Sequence, residues 1–287
     1  MKINAGHVIW TKPYSCKGQT FNLNDAELLT MILSALMWQE LHGPLKLYTD
    51  NEGLKYIKKH NLEGLWKAGI DTNILDTNSD SVQPDIFWAA GKLLVLEKIS
   101  VPALIFDTDL IILQNISDLL KQENIITLHP ENLSEVYLPP GLLKTPPNYL
   151  FPADYDWDTR PSNTAFLYIN NTDFKNYYIR ESKRFMLNNF ERPKEMVSQM
   201  VFAEQRLLSM CAKKHNLNIS YLLTEPFSSD NNRVIHLWGF KEKMRKYLSL
   251  QEFYISLLLE KTGYQFKGNQ YFEKVLTEIL KKSKYFF

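Results

Sequence analysis

The sequence has little of the features that mark several large classes of protein. Its 287 residues contain 2 cysteines, too few for a disulfide framework or a zinc cluster. The formal net charge is +1, from 33 lysines and arginines against 32 aspartates and glutamates. Because binding to a nucleic-acid backbone needs a strong basic excess, this balance argues against a general nucleic-acid-binding protein. We therefore expect two reduced thiols and no nucleic-acid partner.

Long apolar runs are also missing. The first residues, MKINAGHVIW, turn polar at once and offer no apolar core of about 7–15 residues, which a secretory signal would need. No stretch approaches the roughly 20 apolar residues that span a bilayer. Hydrophobic residues make up 45% of the chain and charged residues 23%, which is typical of a folded globule. The sequence thus predicts a cytoplasmic globular protein.

The sequence does contain a regular alternation of short apolar runs and helical stretches. That alternation is typical of βαβ units and predicts an α/β fold with a mixed, mainly parallel sheet and flanking helices. We assign residues 1–244 to one α/β domain and residues 245–287 to a helical C-terminal extension packed on it. Predicted strands cover residues 7–10, 45–48, 69–75, 101–106, 125–128, 165–169, 219–223 and 234–238. Predicted helices cover residues 25–41, 51–60, 84–98, 116–122, 172–190 and 197–215.

Two carboxylates follow the most apolar of these strands. Asp107 and Asp109 come directly after residues 101–106, at the kind of strand end where ligands bind in parallel α/β sheets. Beside apolar walls such a pair stays ionised only if a cation neutralises it. Oxygen ligands suit Mg²⁺ or Mn²⁺, so the pair is a candidate metal site. A strand-end turn with two solvated aspartates is the alternative.

Four segments of the chain, in order, resemble one enzyme family. Residues 106–109 (FDTD) resemble the DxD motif of the GT-A glycosyltransferases, in particular the retaining group of glycogenin and the lipopolysaccharide galactosyltransferases. Residues 163–170 (NTAFLYIN), 203–207 (AEQRL) and 234–239 (VIHLWG) resemble that group's N-x-G-x-L-x-I-N, D-Q-x-x-L and I-I-H-F-x-G segments. The resemblance extends over about residues 45–243. It implies a GT-A-like catalytic domain.

The resemblance also implies an activity and its residues. A hexose would move from a UDP-linked donor to a glycan or lipid-linked acceptor, with retention of configuration and with Mn²⁺ or Mg²⁺. The implied metal ligands are Asp107, Asp109 and His236, and the implied contacts to the sugar are Asn163, Glu204 and Gln205. One ion can hold these three ligands only if their ligating atoms lie within about 5–6 Å of one another. The structural alternative for His236 is a histidine of the core. For Asn163 and Gln205 it is a polar cap at the start of a strand or a helix.

The sequence departs from the family pattern at several places. Ala165 stands where the family has glycine, and Arg206 replaces an acidic residue. The family's diphosphate-binding lysine corresponds to Glu242, although Lys241 and Lys243 flank it. These departures bear on the donor and on the stereochemistry more than on the fold.

Further residues are candidates for binding the nucleotide. An aromatic face accepts a nucleobase, a carboxylate accepts hydrogen bonds from the ribose or the base, and lysines neutralise phosphates. The candidates of these kinds, together with the glycine of the last motif, are Trp10, Asp50, Lys92, Asp107, Gly239, Lys241 and Lys243. Packing under the first helix is the alternative for Trp10, and a solvated side chain is the alternative for each lysine.

Two other functional interpretations remain open. The haloacid-dehalogenase phosphatases have a similar aspartyl motif, although Ile111 stands where they have Thr or Val. A nucleotide-sugar-binding module without catalysis is the second. The proline-rich residues 138–152 are a candidate acceptor side or lid. Residues 274–287 form a basic amphipathic end that packs on the domain or touches the inner face of a membrane.

Overall fold

The computed structural model describes residues 2–77, 82–193, 196–226 and 232–282. These residues form nine strands. They are β1 (Asn4–Ile9), β2 (Lys46–Thr49), β3 (Ile70–Asp71), β4 (Ala103–Phe106), β5 (Leu110–Ile112), β6 (Ile125–Thr127), β7 (Phe166–Ile169), β8 (Ser220–Tyr221) and β9 (Val234–His236).

Seven of the strands form one sheet, in the order β3-β2-β1-β4-β7-β6-β8. Strand β7 runs antiparallel to both of its neighbours, β4 and β6, and the other neighbouring pairs are parallel. Strands β5 and β9 form a separate antiparallel pair. The prediction of an α/β fold with a mixed, mainly parallel sheet is confirmed.

Helices cover both faces of the sheet. They are α1 (Lys12–Ser15), α2 (Asp25–His42), α3 (Asn51–Lys59), α4 (Asn73–Thr77), α5 (Ala90–Lys98), α6 (Ser117–Gln122), α7 (Thr172–Met186), α8 (Met196–Val201), α9 (Leu207–Lys214), α10 (Lys241–Lys246), α11 (Leu248–Thr262) and α12 (Gln270–Lys282). A π-helical turn, Phe202–Arg206, joins α8 to α9.

The central strand β4 divides the apolar core into two layers. Leu104 and Phe106 pack with α2, α11 and α12, whereas Ala103 and Ile105 pack with α5, α7 and α9. A strand that is buried on both faces needs apolar side chains at every position, and this explains its continuous apolar sequence.

Helix α2 begins and ends at clear local signals. The Asn24 side chain accepts the Glu27 N–H at 2.9 Å, and the Glu27 carboxylate accepts the Asn24 N–H at 3.0 Å, which is a complete capping box. Gly43 follows the helix with φ +102, a conformation that favours glycine. The helix lies directly under β5, so it supports the strand that follows Asp109.

Several predicted elements are shorter than expected, and local hydrogen bonds explain two of them. The strand predicted over residues 69–75 ends at Asp71, because its carboxylate accepts the N–H groups of Asn73 at 3.0 Å and Ile74 at 3.4 Å and starts α4. The helix predicted over residues 84–98 begins at Ala90. The residues before it form a separate turn, in which the N–H groups of Ile86 and Phe87 donate to Gln83 O. Strand β5 was not predicted.

The C-terminal helices pack against α2. Val275 and Ile279 of α12 are buried in that contact, and the Lys282 Nζ lies 2.8 Å from Asp25. The apolar face of α12 is therefore covered by protein, whereas residues 283–287 lie outside the described residues. In the described ranges, no helix is both long enough and apolar enough to cross a membrane. The boundary at residue 244 stays a prediction.

Candidate active site

Asp107, Asp109 and His236 converge at the end of β4. Asp107 follows β4, Asp109 precedes β5, and His236 ends β9, where it pairs with Leu110. One ligating atom from each of the three side chains lies within 4.8 Å of the other two. Among the described residues this is the one such group of His, Cys, Asp and Glu. Two strands and one turn thus bring together residues that are far apart in sequence.

Backbone hydrogen bonds fix the segment that carries both aspartates. The Asp107 N–H donates to Ala165 O at 2.8 Å, and the Leu110 N–H donates to Asp107 O at 3.1 Å. The Leu237 N–H donates to Asp109 O at 3.1 Å. The turn is therefore tied to β7 on one side and to β9 on the other.

The carboxylate of Asp109 is buried and already has a cationic partner. The Lys241 Nζ lies 2.8 Å from Asp109 Oδ2, and the His236 Nε2 lies 3.7 Å from the same oxygen. Burial alone would raise the pKa of Asp109, but Lys241 and then His236 outweigh burial and lower it. Burial lowers the pKa of His236, so its ring is neutral near pH 7 and can offer a lone pair to a metal.

Lys92 joins the metal candidate to the π-helical turn. Its Nζ lies 3.0 Å from Asp107 Oδ1 and 2.5 Å from Glu204 Oε1, and it donates to Thr164 O at 3.2 Å. These three acceptors match the three N–H groups of an ammonium. Burial would lower the pKa of Lys92, but Asp107 and Glu204 raise it above its usual range. Burial raises the pKa of Glu204 although Lys92 opposes the change.

A cavity of about 240 Å³ opens beside this cluster. The polar and aromatic side chains that line it are Trp10, Tyr14, Phe21, Glu27, Trp88, Lys92, Asp107, Thr108, Asp109 and Lys241. Gly91 lies against the Trp10 ring so closely that an added Cβ would come within 2.8 Å of Trp10 Cβ. In the part of the chain that the structure describes, the buried Trp10 Nε1 has no hydrogen-bond partner. Trp88, which the sequence interpretation missed, is 36% exposed.

Asn163 and Gln205 both make hydrogen bonds within the protein. The Asn163 amide donates to Glu131 Oε1 at 2.8 Å and accepts the Ala165 N–H at 3.0 Å. The Tyr137 hydroxyl donates to Gln205 Oε1 at 2.6 Å. Glu131 and Tyr137 belong to no sequence motif, and only the tertiary fold brings them to Asn163 and Gln205.

Three of the candidate nucleotide residues lie outside the cluster. The Asp50 carboxylate accepts hydrogen bonds from the Thr11 N–H and hydroxyl, the Lys12 N–H and the Gly53 N–H. Lys243 is exposed, with its Nζ 5.6 Å from the centre of the Phe240 ring. Gly239 is exposed in a single 3₁₀ turn. None of the three lines the 240 Å³ cavity.

Arg206, the residue that departs from the family pattern, anchors the proline-rich segment. It donates to Tyr137 O and Leu138 O at 2.9 Å each and to Trp157 O at 2.5 Å. The start of residues 138–152, and Trp157 five residues beyond their end, are thus tied to the π-helical turn that contains Glu204 and Gln205.

Fold and site together define an α/β protein with a carboxylate–imidazole cluster at the carboxyl end of its central parallel strand. The chain belongs to a family of unknown function, DUF6734, whose model matches residues 7–252. No curated protein matches the chain in sequence.

Solved structures show only distant similarity. Galactosyltransferase LgtC, in complex with donor and acceptor sugar analogues, has 11% identity and a TM-score of 0.38, over 86% of this chain and 94% of that chain. Mouse xyloside xylosyltransferase 1 has 12% identity and a TM-score of 0.38, over 77% and 85%. A nucleoside-diphosphate-sugar pyrophosphorylase from Vibrio cholerae has 11% identity and a TM-score of 0.40, over 80% and 94%. At these TM-scores the likenesses carry no weight for the function of this chain.

Proposed function

We propose that this chain is a metal-dependent GT-A glycosyltransferase that moves a hexose from a nucleotide sugar, UDP-linked, to a glycan or lipid-linked acceptor. One observation carries the proposal: the ligating atoms of Asp107, Asp109 and His236 lie within 4.8 Å of one another beside a cavity that Lys92 and Lys241 also line. The order of the four sequence motifs supports the same family.

The three side chains fit Mn²⁺ or Mg²⁺. Carboxylate oxygens are preferred ligands of both ions, and a neutral imidazole can add one ring nitrogen as a third ligand. Two atoms that are each about 2.1 Å from one ion lie at most about 4.2 Å apart, so a small contraction closes the set. A divalent ion held by Asp107, Asp109 and His236 would supply positive charge for the diphosphate leaving group.

The residues around the cluster supply the remaining donor contacts. Lys241 lies at the cavity wall, with a side chain that is 41% exposed, and can reach a phosphate once it leaves Asp109. Trp10 and Trp88 line the same cavity and offer aromatic surface to a nucleobase. Lys92 holds Asp107 and Glu204 in place, because all three of its N–H groups already have acceptors.

The sugar is proposed to lie toward the π-helical turn. Glu204 is linked to Asp107 through Lys92, and the Gln205 amide keeps its N–H donors free of the Tyr137 bond. These two residues match the positions that lie under the sugar in the retaining group, so retention of configuration is part of the proposal. The segment 138–152, anchored by Arg206, is the proposed acceptor side.

The decisive test is release of nucleoside diphosphate from a panel of UDP- and GDP-sugars in the presence of Mn²⁺. We expect release from at least one sugar nucleotide, loss of release with EDTA and in Asp109→Asn, and retention in Asp118→Asn. Asp118 is a suitable control because its side chain is 90% exposed and pairs with the neighbouring Lys121, away from the cluster. Product NMR then distinguishes retention from inversion.

Other outcomes contradict the proposal in different ways. Hydrolysis of an aryl phosphate that is lost in Asp107→Asn, without release from any sugar nucleotide, indicates a phosphatase. Mn²⁺-dependent UDP binding without turnover of any donor indicates a binding module. Absence of both binding and turnover removes the nucleotide-sugar assignment.

A further inference from the structure

A chain of buried hydrogen bonds runs beneath the candidate metal cluster. The Trp66 Nε1–H donates to His7 Nδ1 at 3.3 Å, and His7 Nε2 lies 3.1 Å from the Ser34 hydroxyl. The Ser34 hydroxyl donates to the backbone carbonyl of Leu110 at 2.5 Å. All four residues are buried, on β1, α2, β5 and the loop before β3.

The hydrogen-bonding groups allow one assignment of the protons. An indole N–H is only a donor, so His7 Nδ1 accepts and the ring proton sits on Nε2. Burial lowers the pKa of His7 to about 3, against the opposing charge of Asp109, so the ring is neutral. Nε2–H then donates to Ser34 Oγ, whose own proton goes to Leu110 O.

His7 contacts the residue before the Asp107–Asp109 segment and is linked through Ser34 to the residue after it. Its ring lies against the ring of Phe106, with centroids 4.4 Å apart and planes at 72°. Phe106 precedes Asp107, and Leu110, which the chain of hydrogen bonds reaches through Ser34, follows Asp109. Leu110 also pairs with His236 across β5 and β9. One residue on β1, the strand next to the central strand β4, is therefore connected to all three proposed ligands.

We propose that His7, acting through Ser34, is a positioning residue that fixes the geometry of the Asp107, Asp109 and His236 cluster. This inference rests on the proposed function for the identity of what is positioned. An apolar residue at position 7 would fill the core equally well but would leave the Trp66 N–H and the Ser34 hydroxyl short of partners. Without the His7 N–H to orient it, the Ser34 hydroxyl would no longer be held toward Leu110 O, and the turn between β4 and β5 would loosen.

Four variants separate positioning from core packing. Glutamine places its amide nitrogen near the position of the imidazole Nε2, whereas asparagine places its amide near Nδ1. His7→Gln thus keeps the donor to Ser34, and His7→Asn loses it. Ser34→Ala removes the relay with the loss of a single oxygen atom. Thr30→Val is the matched control, because the Thr30 hydroxyl is equally buried on α2 but donates to Ala26 O within the helix.

Two measurements apply to each variant. Calorimetric titration with Mn²⁺ alone gives the metal affinity, and hydrogen exchange gives the protection of residues 107–113 and 234–237 without metal. For His7→Asn and Ser34→Ala we expect about tenfold weaker Mn²⁺ binding and about tenfold faster exchange in both segments, the effect of one lost buried hydrogen bond. For His7→Gln and Thr30→Val we expect both values within about twofold of wild type.

The two measurements fail separately. If the wild type does not bind Mn²⁺, the proposed function is wrong, while the exchange rates still test whether His7 and Ser34 hold the segment. If Ser34→Ala and His7→Asn exchange like Thr30→Val in residues 107–113 and 234–237, the positioning role is wrong whatever the metal result. Equal Mn²⁺ affinity in all four variants overturns it as well.

Discussion

Two lysines neutralise the two aspartates of the cluster, but their surroundings differ. Lys92 has a side chain that is 13% exposed and three acceptors, whereas the Lys241 side chain is 41% exposed and pairs with Asp109. A cation that shares one carboxylate at the cavity mouth can be displaced by a metal ion. A cation that bridges two carboxylates and a carbonyl cannot leave without depriving both carboxylates of their charged partner. We therefore expect a metal ion to displace Lys241 from Asp109, whereas Lys92 stays in place and holds Asp107 and Glu204.

Lys241→Met tests whether Lys241 and the metal ion compete for Asp109. Without the competing ammonium, Asp109 is free for the metal, so Mn²⁺ alone should bind about threefold tighter or more. The affinity for UDP in the presence of saturating Mn²⁺ should fall, because a phosphate partner is lost. Titration calorimetry of both ligands measures the two effects. Lys243→Met is the control and should change neither, and weaker Mn²⁺ binding in Lys241→Met would show that the two cations do not compete.

Lys92→Met tests whether Lys92 stabilises the fold by bridging Asp107 and Glu204. The change leaves Glu204 and Asp107 without their partner, so we expect the free energy of unfolding in urea to fall by about 3 kcal/mol. Lys183→Met removes a partly exposed pair with Glu97 of similar length and should cost less than about 1 kcal/mol. Equal losses in the two variants would mean that Lys92 is not a buried bridge.

At the scale of elements, Asp50, which follows β2, connects helix α3 to the segment between β1 and α1. Its carboxylate caps α3 through Gly53 and holds Thr11 and Lys12, which lead from β1 into α1. The sequence interpretation made Asp50 a candidate contact to the ribose or the base, but its oxygens already accept four hydrogen bonds. Asp50→Ala should lower the free energy of unfolding by about 2 kcal/mol or more and leave UDP affinity unchanged. Loss of UDP affinity with wild-type stability, in the same urea and calorimetry experiments, would restore the ribose contact.

The difference between Asp107 and Asp50 explains what the sequence can predict. Asp107 and Asp109 lie within one short motif after a continuously apolar strand, so local pattern and chemistry suffice to find them. Asp50, Asn163 and Gln205 each have at least one partner from a distant segment that only the tertiary fold brings near. Strand β3 was predicted too long for a different, local reason, since the Asp71 side chain accepts hydrogen bonds from the next residues and turns the backbone into α4.

At the scale of the whole molecule, the buried histidine on β1 links stability to pH. The unfolded chain binds a proton at His7 near pH 6.5, but the folded chain does so only at about 3. The unfolded state therefore binds more protons between these values, and the free energy of unfolding falls as the pH drops through this range, by up to about 1.4 kcal/mol per pH unit. Urea titrations between about pH 6 and pH 4 measure this slope. The glutamine of His7→Gln cannot ionise, so this variant should have a shallower slope. Equal slopes in the variant and the wild type would mean that groups other than His7 cause the pH dependence.

The near-zero net charge of the whole chain has a local counterpart at the site. Asp107, Asp109 and Glu204 gather at the end of the central strand, and the two positive charges of Lys92 and Lys241 offset most of the charge of these three acidic groups. A divalent ion adds charge to this arrangement, so a nucleoside diphosphate should bind only after the ion does.

Calorimetric titration of UDP into the protein, with Mn²⁺ and with EDTA, tests this account most directly. We expect UDP to bind at least about tenfold tighter with Mn²⁺, Asp109→Asn to abolish the difference, and Asp118→Asn to keep it. A UDP affinity that is the same with Mn²⁺ and with EDTA would contradict a metal-dependent nucleotide-sugar site.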